Sequence, residues 1–320
     1  MGDDTGTVCS FGGNDTTPSH TPTRRRSLDC HLPRTLGLFR TGARHVTEVV
    51  AGLLSAVANA IGGVLSKGLA QRYPARQLIG PLFALNALLV LPAAPFVEWT
   101  WSAEIVALHL LSVALLVMTS LAIWDLYDHG SAAATVTAQS ISPLPAALAV
   151  AILLPGTLEL AHVVAAVVVV LAVLMGLSGS FGALSRRRSM ATVLIAAVGT
   201  GLVTVMGRLL ADRDVGVVEA YFVRAALAAV VSCILVPPRD VPLRSIPRML
   251  PRAFFITAHF LLILIGVQDG NPAVVQTAVA TAPLVSLGFE VAATRRRPSG
   301  RLVAAAVLAM AGVAVIALAR

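Results

Sequence analysis

The sequence predicts an all-helical integral membrane protein, with ten transmembrane helices arranged as two inverted-topology five-helix repeats. Three observations carry that expectation: an apolar composition, ten apolar runs of bilayer length, and a repeat that pairs the two halves of the chain. Of 320 residues, 57% are hydrophobic and only 12% are charged, and the mean hydropathy is +0.83. A water-soluble domain of this length needs a charged exterior and could not hide so much apolar surface. Lipid is the solvent that remains. The same composition excludes a disordered chain, a collagen-like chain and a disulfide-stapled secreted scaffold.

Residues 1–46 read as a disordered tail, rich in Asp, Thr, Ser, Gly and Pro and carrying Arg24, Arg25, Arg26, Arg34, Arg40 and Arg44. No apolar core follows those charges, as a secretory signal would require, and Gly6 stands where a myristoylation signal needs Ser or Thr. From Val49 onward apolar runs alternate with short polar breaks. A hydrocarbon core needs about 20 helical residues to cross. By that ruler the spans are 48–67, 77–97, 103–124, 130–154, 159–181, 190–211, 215–237, 252–267, 271–293 and 300–319. They are helices because backbone amides cannot stay unpaired in lipid, and barrel strands would alternate polar with apolar. The eighth follows Pro242, Pro247 and Pro251, and its apolar stretch, 253–267, has only fifteen residues. A short span in one half points to a binding site.

Sliding the chain by 140 residues pairs 130–176 with 270–316 without a gap, and eleven of the 47 pairs are identical. Gly130 with Gly270, Thr137 with Thr277, Pro143 with Pro283 and Leu144 with Leu284 are among them. A shift of 141 pairs 51–71 with 192–212 and sets Lys67 opposite Arg208. The halves are therefore 47–181 and 190–320. Five spans per half is an odd number, so the second half starts from the opposite face of the bilayer. Inverted repeats of this kind are typical of secondary transporters, with the solute site between the halves.

Lys plus Arg is 24 against 16 Asp plus Glu, a formal charge of +8. The clusters Arg186–Arg188 and Arg295–Arg297 lie between apolar runs, as flanks of spans do, so no nucleic-acid partner is expected. Cys9, Cys30 and Cys233 have neither disulfide nor metal-ligand spacing. Neither a metal nor a cofactor is expected. Fourteen Lys and Arg fall in 67–76, 186–188, 239–252 and 295–301, all on one side of a ten-span arrangement. Positive-inside counting puts that side in the cytoplasm and the termini outside.

The segment Ile61-Gly62-Gly63-Val64-Leu65-Ser66-Lys67, followed by Pro74, resembles the end of the first helix in the EamA-type branch of the drug/metabolite transporter superfamily. The runs around Pro143 and Pro283 resemble that family's fourth and ninth helices, and Arg224 stands where the family often has an arginine. The resemblance covers about 270 residues, everything beyond the tail. It implies a ten-helix solute transporter with its termini inside, opposite to the charge count. The sequence departs from the family at Pro81-Leu82, where the first half lacks the corresponding arginine, and at Pro155-Gly156 and Arg295-Arg296, which replace a Gly-Glu pair.

Polar residues inside spans face a cavity or another helix. Asn59 and Asn86 read either as amide bridges between helices or as solute contacts. Thr135, Thr137, Gln139, Ser140 and Ser142 precede Pro143; Gln276, Thr277 and Thr281 precede Pro283. Each proline breaks its helix and frees the carbonyl four residues earlier, at Gln139 and Val279. The polar side chains upstream either line a cavity or bond back to their own helix. The expected solute contacts are Asn59, Asn86, Thr137, Gln139, Ser142, Arg224, Gln276, Thr277 and Thr281. Lys67 and Arg208 read as a pair of gate cations or as snorkelling side chains. His109 and His259 are each an interface residue or a proton site. Glu290 shares a helical stripe with Gln276 and Pro283, and it joins His259 as a proton-coupling candidate.

One enzyme pattern is present. Gly176-Leu177-Ser178-Gly179 fits the Gly-x-Ser-Gly of rhomboid-type intramembrane serine proteases, with His259 as the base. The ten spans and the inverted repeat speak against it, and no nucleotide-binding fingerprint occurs. The expectation is a non-enzymatic, multi-pass transporter of the cell membrane that moves a small metabolite or drug-like solute by alternating access, in the export direction. Its partners are that solute and the bilayer, and a homodimer is compatible with the architecture. The alternative is a membrane scaffold or sensor that keeps the fold without transporting.

Overall fold

The computed structural model describes residues 34–129, 139–156, 158–177, 187–294 and 300–318. Most of the expected tail, Thr135 and Thr137 lie outside the described residues, as does the side chain of Glu290.

Every regular element among the described residues is a helix. They are α1 Arg34–Ala70, α2 Ile79–Val90, α3 Ala103–His129, α4 Pro143–Leu153 and α5 Leu160–Leu177 in the first half. The second half holds α6 Arg187–Ala211, α7 Val217–Leu235, α8 Ile246–Gln268, α9 Pro272–Val279, α10 Ala282–Thr294 and α11 Gly300–Leu318. Short 3₁₀ turns at Ala75–Leu78 and Leu91–Phe96 extend α2 at both ends. Six of these segments are long and apolar enough to cross a membrane, and four shorter apolar helices accompany them. Large apolar side chains such as Leu54, Leu88, Leu110, Leu148, Leu194, Ile234 and Val307 are exposed around the periphery, the pattern expected of a lipid-facing surface.

The main pairings join the halves: α1 with α8, α3 with α6, α2 with α7, α5 with α11, α1 with α9 and α4 with α6. Small residues allow the closest of them. A methyl group on Gly62 would stand 2.5 Å from Ile256 Cδ1, and one on Gly201 would stand 2.7 Å from the Ser142 carbonyl oxygen. Such close approach is how helices associate where lipid removes the hydrophobic drive. The helix ends are tied by polar contacts, Arg76 to Asp125 at one end and Arg213 to Glu104 at the other. The bond to the Glu104 carboxylate raises the pKa of Arg213.

Three expectations are corrected. Helix α1 begins at Arg34, so the last thirteen residues of the expected tail are helical. The eighth span is not short: α8 has 23 residues, about 34 Å at 1.5 Å rise. Pro247 occupies the first turn, where its missing N–H is harmless, and Pro251 follows within the helix. Arg252, counted above as a loop cation, therefore lies inside α8. The ninth span is two pieces, because helical structure stops at Val279 and resumes at Ala282.

Candidate functional site: a polar chamber between the two halves

The polar side chains of the apolar helices do not scatter. Asn59 from α1, Gln139 from the turn before α4, Arg224 from α7, His259 from α8 and Gln276 from α9 line one cavity. A second lobe opens beside it and shares Asn59, Ser120, Ile123, Gln139, His259 and Phe260 with the first. It adds Ser66, Trp124, Tyr127 and Arg252. Each lobe encloses about 60 Å³, space for a few water molecules and less than a metabolite fills.

Hydrogen bonds tie the walls together. Asn59 Nδ2 donates to Gln139 Oε1 at 3.1 Å, joining α1 to the chain ahead of α4. Gln276, wholly buried, donates through Nε2 to Ser142 Oγ at 2.6 Å and accepts from Thr204 Oγ1 at 2.9 Å. That chain links α4, α6 and α9. The carbonyl of Gln139, freed by Pro143, accepts from the Ser142 hydroxyl.

His259 sits at the waist shared by the lobes. Its Nδ1 lies 2.7 Å from Ser55 Oγ and 3.2 Å from the Ser55 carbonyl oxygen. The Ser55 hydroxyl donates to the His259 carbonyl at 3.2 Å. Both Ser55 oxygens thus act as acceptors towards the ring, which assigns the proton to Nδ1. Nε2 is left as an acceptor without a partner among the described residues. Arg252 holds its Nε 3.1 Å from Ser66 Oγ, with its guanidinium 5.4 Å from the Trp124 ring centroid.

The other expected residues go elsewhere. Asn86 is buried between α2 and α8, where its amide nitrogen, suitably oriented, donates to the Leu82 and Ala253 carbonyls at 3.1 and 3.3 Å. Thr277 and Thr281 bond back to Ala273 and Ala278 at 2.7 Å each and do not line the lobes. Lys67 is exposed at the end of α1. Arg208 caps α8 through the Gln268 carbonyl at 3.0 Å and pairs with Asp212 at 2.8 Å. Neither cation reaches the chamber. His109 is buried with its ring 6.3 Å from that of Trp101, and it too stays outside the lobes. Ser178 and Gly179 lie outside the described residues, and the ring nitrogen of His259 that is bonded turns to Ser55.

Sequence reasoning missed Arg252, Thr200, Thr204 and Ser120. Arg252 was hidden by the prolines around it. Serines and threonines in apolar helices usually bond their own backbone, and Thr204 does so to Thr200 at 3.1 Å while also holding Gln276.

The helices and the chamber they enclose define a polytopic membrane protein with a polar interior. Residues 187–318 match the EamA-like transporter family, part of the drug/metabolite transporter superfamily, and bear out the resemblance read from the sequence. A solved structure titled "Crystal structure of protein" has the same fold, with a TM-score of 0.67 at 22% identity over 87% of this chain and 99% of its own. No curated protein matches the chain.

Proposed function

We propose that this protein is a secondary transporter of a small metabolite or drug-like solute, that ten helices cross the bilayer as two inverted repeats, and that the chamber is the solute site. The observation that carries this reading is the chamber itself: a polar, hydrogen-bonded interior built by both halves, which a scaffold has no reason to keep. The packing supports the inversion. Exchanging the halves turns the pairing of α1 with α8 into that of α3 with α6, and α1 with α9 into α4 with α6, while α2–α7 and α5–α11 map onto themselves. Ser66, near the end of α1, meets Arg252 near the start of α8, whereas Arg208, near the end of α6, meets the end of α8. The first helices of the two halves therefore run in opposite senses.

In alternating access the halves rock about such a site and open it to each side in turn. The small volume of the lobes fits a closed arrangement that must part to admit solute. Export driven by proton entry is the mode we favour, with His259 as the proton site because it lines both lobes and its Nε2 has no partner among the described residues, and Glu290 as the second candidate. Solute flux in proteoliposomes, with and without an imposed pH gradient, tests this for wild type, His259→Ala and Glu290→Gln. The gradient should accelerate wild type and leave His259→Ala indifferent. If both variants respond as wild type does, proton coupling through these residues is excluded.

A further inference from the structure

The chamber carries an unbalanced charge. Arg224 and Arg252 face its two lobes, and no Asp or Glu lines either lobe among the described residues. The two cations are not equivalent. Arg252 is held by Ser66 and the face of Trp124. Arg224 is only 2% exposed, and its Nε and Nη2 have no hydrogen-bond partner among the described residues. The acid closest along α7, Glu219, turns away to accept from the Thr100 amide at 2.9 Å. His109 is buried with both ring nitrogens unpartnered among the described residues and brings no negative charge. A guanidinium buried in an apolar span without a counter-ion is among the costliest features a membrane protein can carry, and where one persists it marks a solute or ion path.

We infer that the solute is an organic monoanion whose carboxylate docks on Arg224 and whose apolar body lies against Leu116, Val203 and Ile263. A guanidinium offers two parallel N–H donors, the geometry that a carboxylate matches. Of the two cations, Arg224 is the one whose donors are unpartnered among the described residues, so a single carboxylate satisfies it, and Leu116, Val203 and Ile263 supply an aliphatic part of its lobe. Among the described residues Asn59 and Gln139 keep a free acceptor and a free donor for a polar substituent, since only one atom of each is used in their mutual bond. The inference rests on the transporter reading, because it names the solute class of the same chamber.

The test uses the full chain in detergent and three probes that share a phenyl ring and differ in charge: benzoate, benzamide and benzylammonium. Thermal unfolding measured against probe concentration should show stabilisation by benzoate alone. Arg224→Gln should weaken benzoate roughly 30-fold or more, as removal of one partner of a buried charge pair does. Leu116→Trp, which fills the lobe and keeps the charge, should abolish the benzoate shift as well, so the outcome does not hang on Arg224→Gln folding. A benzoate shift that is absent, is matched by benzamide or benzylammonium, or is unchanged in both variants overturns the inference. Radiolabelled benzoate flux into proteoliposomes separates the two readings. Anion-selective binding without any flux defeats the transporter and keeps the anion site, whereas flux that favours the neutral or cationic probe keeps the transporter and defeats the anion site.

Discussion

Substituting Gly201 by alanine strikes the contact between α4 and α6 on which the chamber wall depends. The added methyl would stand 2.7 Å from the Ser142 carbonyl oxygen and 2.9 Å from the Ala146 nitrogen, both backbone atoms that no rotamer change can move. To regain an ordinary contact of 3.4 Å, α4 must retreat by about 0.7 Å. That retreat carries Ser142 away from Gln276 and stretches a 2.6 Å hydrogen bond to one of marginal length. Overpacking of this kind costs about 1–3 kcal/mol, and a weakened side-chain bond within a membrane adds about 0.6 kcal/mol. The better helix propensity of alanine returns about 1 kcal/mol, which leaves a net loss of about 1–2 kcal/mol. Gly68 is the control, because a methyl there meets nothing within 4 Å, and Gly68→Ala should be neutral or stabilising. Unfolding of the purified protein in mixed detergent micelles, titrated with dodecyl sulfate, reads both. A Gly201→Ala protein as stable as Gly68→Ala would refute the close approach of α4 and α6.

Asn86→Ala should lower stability by about 0.5–1 kcal/mol through the lost carbonyl bonds and leave solute affinity unchanged; a shift in affinity at unaltered stability would return Asn86 to the site. Thr281→Val removes a hydroxyl that bonds the Ala278 carbonyl three residues earlier and should leave flux at the wild-type level, and a large loss of flux would show that the hydroxyl meets solute. Removing residues 1–33, which contain no apolar run, should leave membrane accumulation intact, as a Western blot of the membrane fraction can establish. Lys67, Arg72, Arg76, Arg239, Arg244 and Arg248 gather at one end of the helices, and placing that end in the cytoplasm puts the N-terminus outside. An impermeant maleimide should then label Cys9 in intact cells; labelling only after lysis would favour the orientation implied by the family.

The apolar segments were legible because hydrocarbon length is a simple ruler, and an apolar helix lies within each expected run, six of them of span length and four shorter. What failed was the reading of proline as a full stop. Pro247 sits where a helix start tolerates it, so α8 began earlier and drew Arg252 into the chamber. The face on which a polar residue lies was not legible either. Helix α2 is apolar all round, so periodicity could not show that Asn86 faces α8 and not the lobes that Asn59 of α1 lines. Only packing decides which side of such a helix looks inward. The masking of Thr204 by its own backbone bond is the same problem in miniature, since the hydroxyl that satisfies Thr200 also orients Gln276.

The central claim is that the chamber faces each side of the membrane in turn. Ser120 lines both lobes and reports on that directly when replaced by cysteine in a background with Cys9, Cys30 and Cys233 changed to serine. Membrane-impermeant thiosulfonate reagents are applied to right-side-out and to inside-out vesicles, and the rate of Ser120→Cys modification is measured in each. Alternating access predicts modification from both sides. Modification from one side only, or from neither, would contradict the account and leave the chamber a static feature of a membrane scaffold.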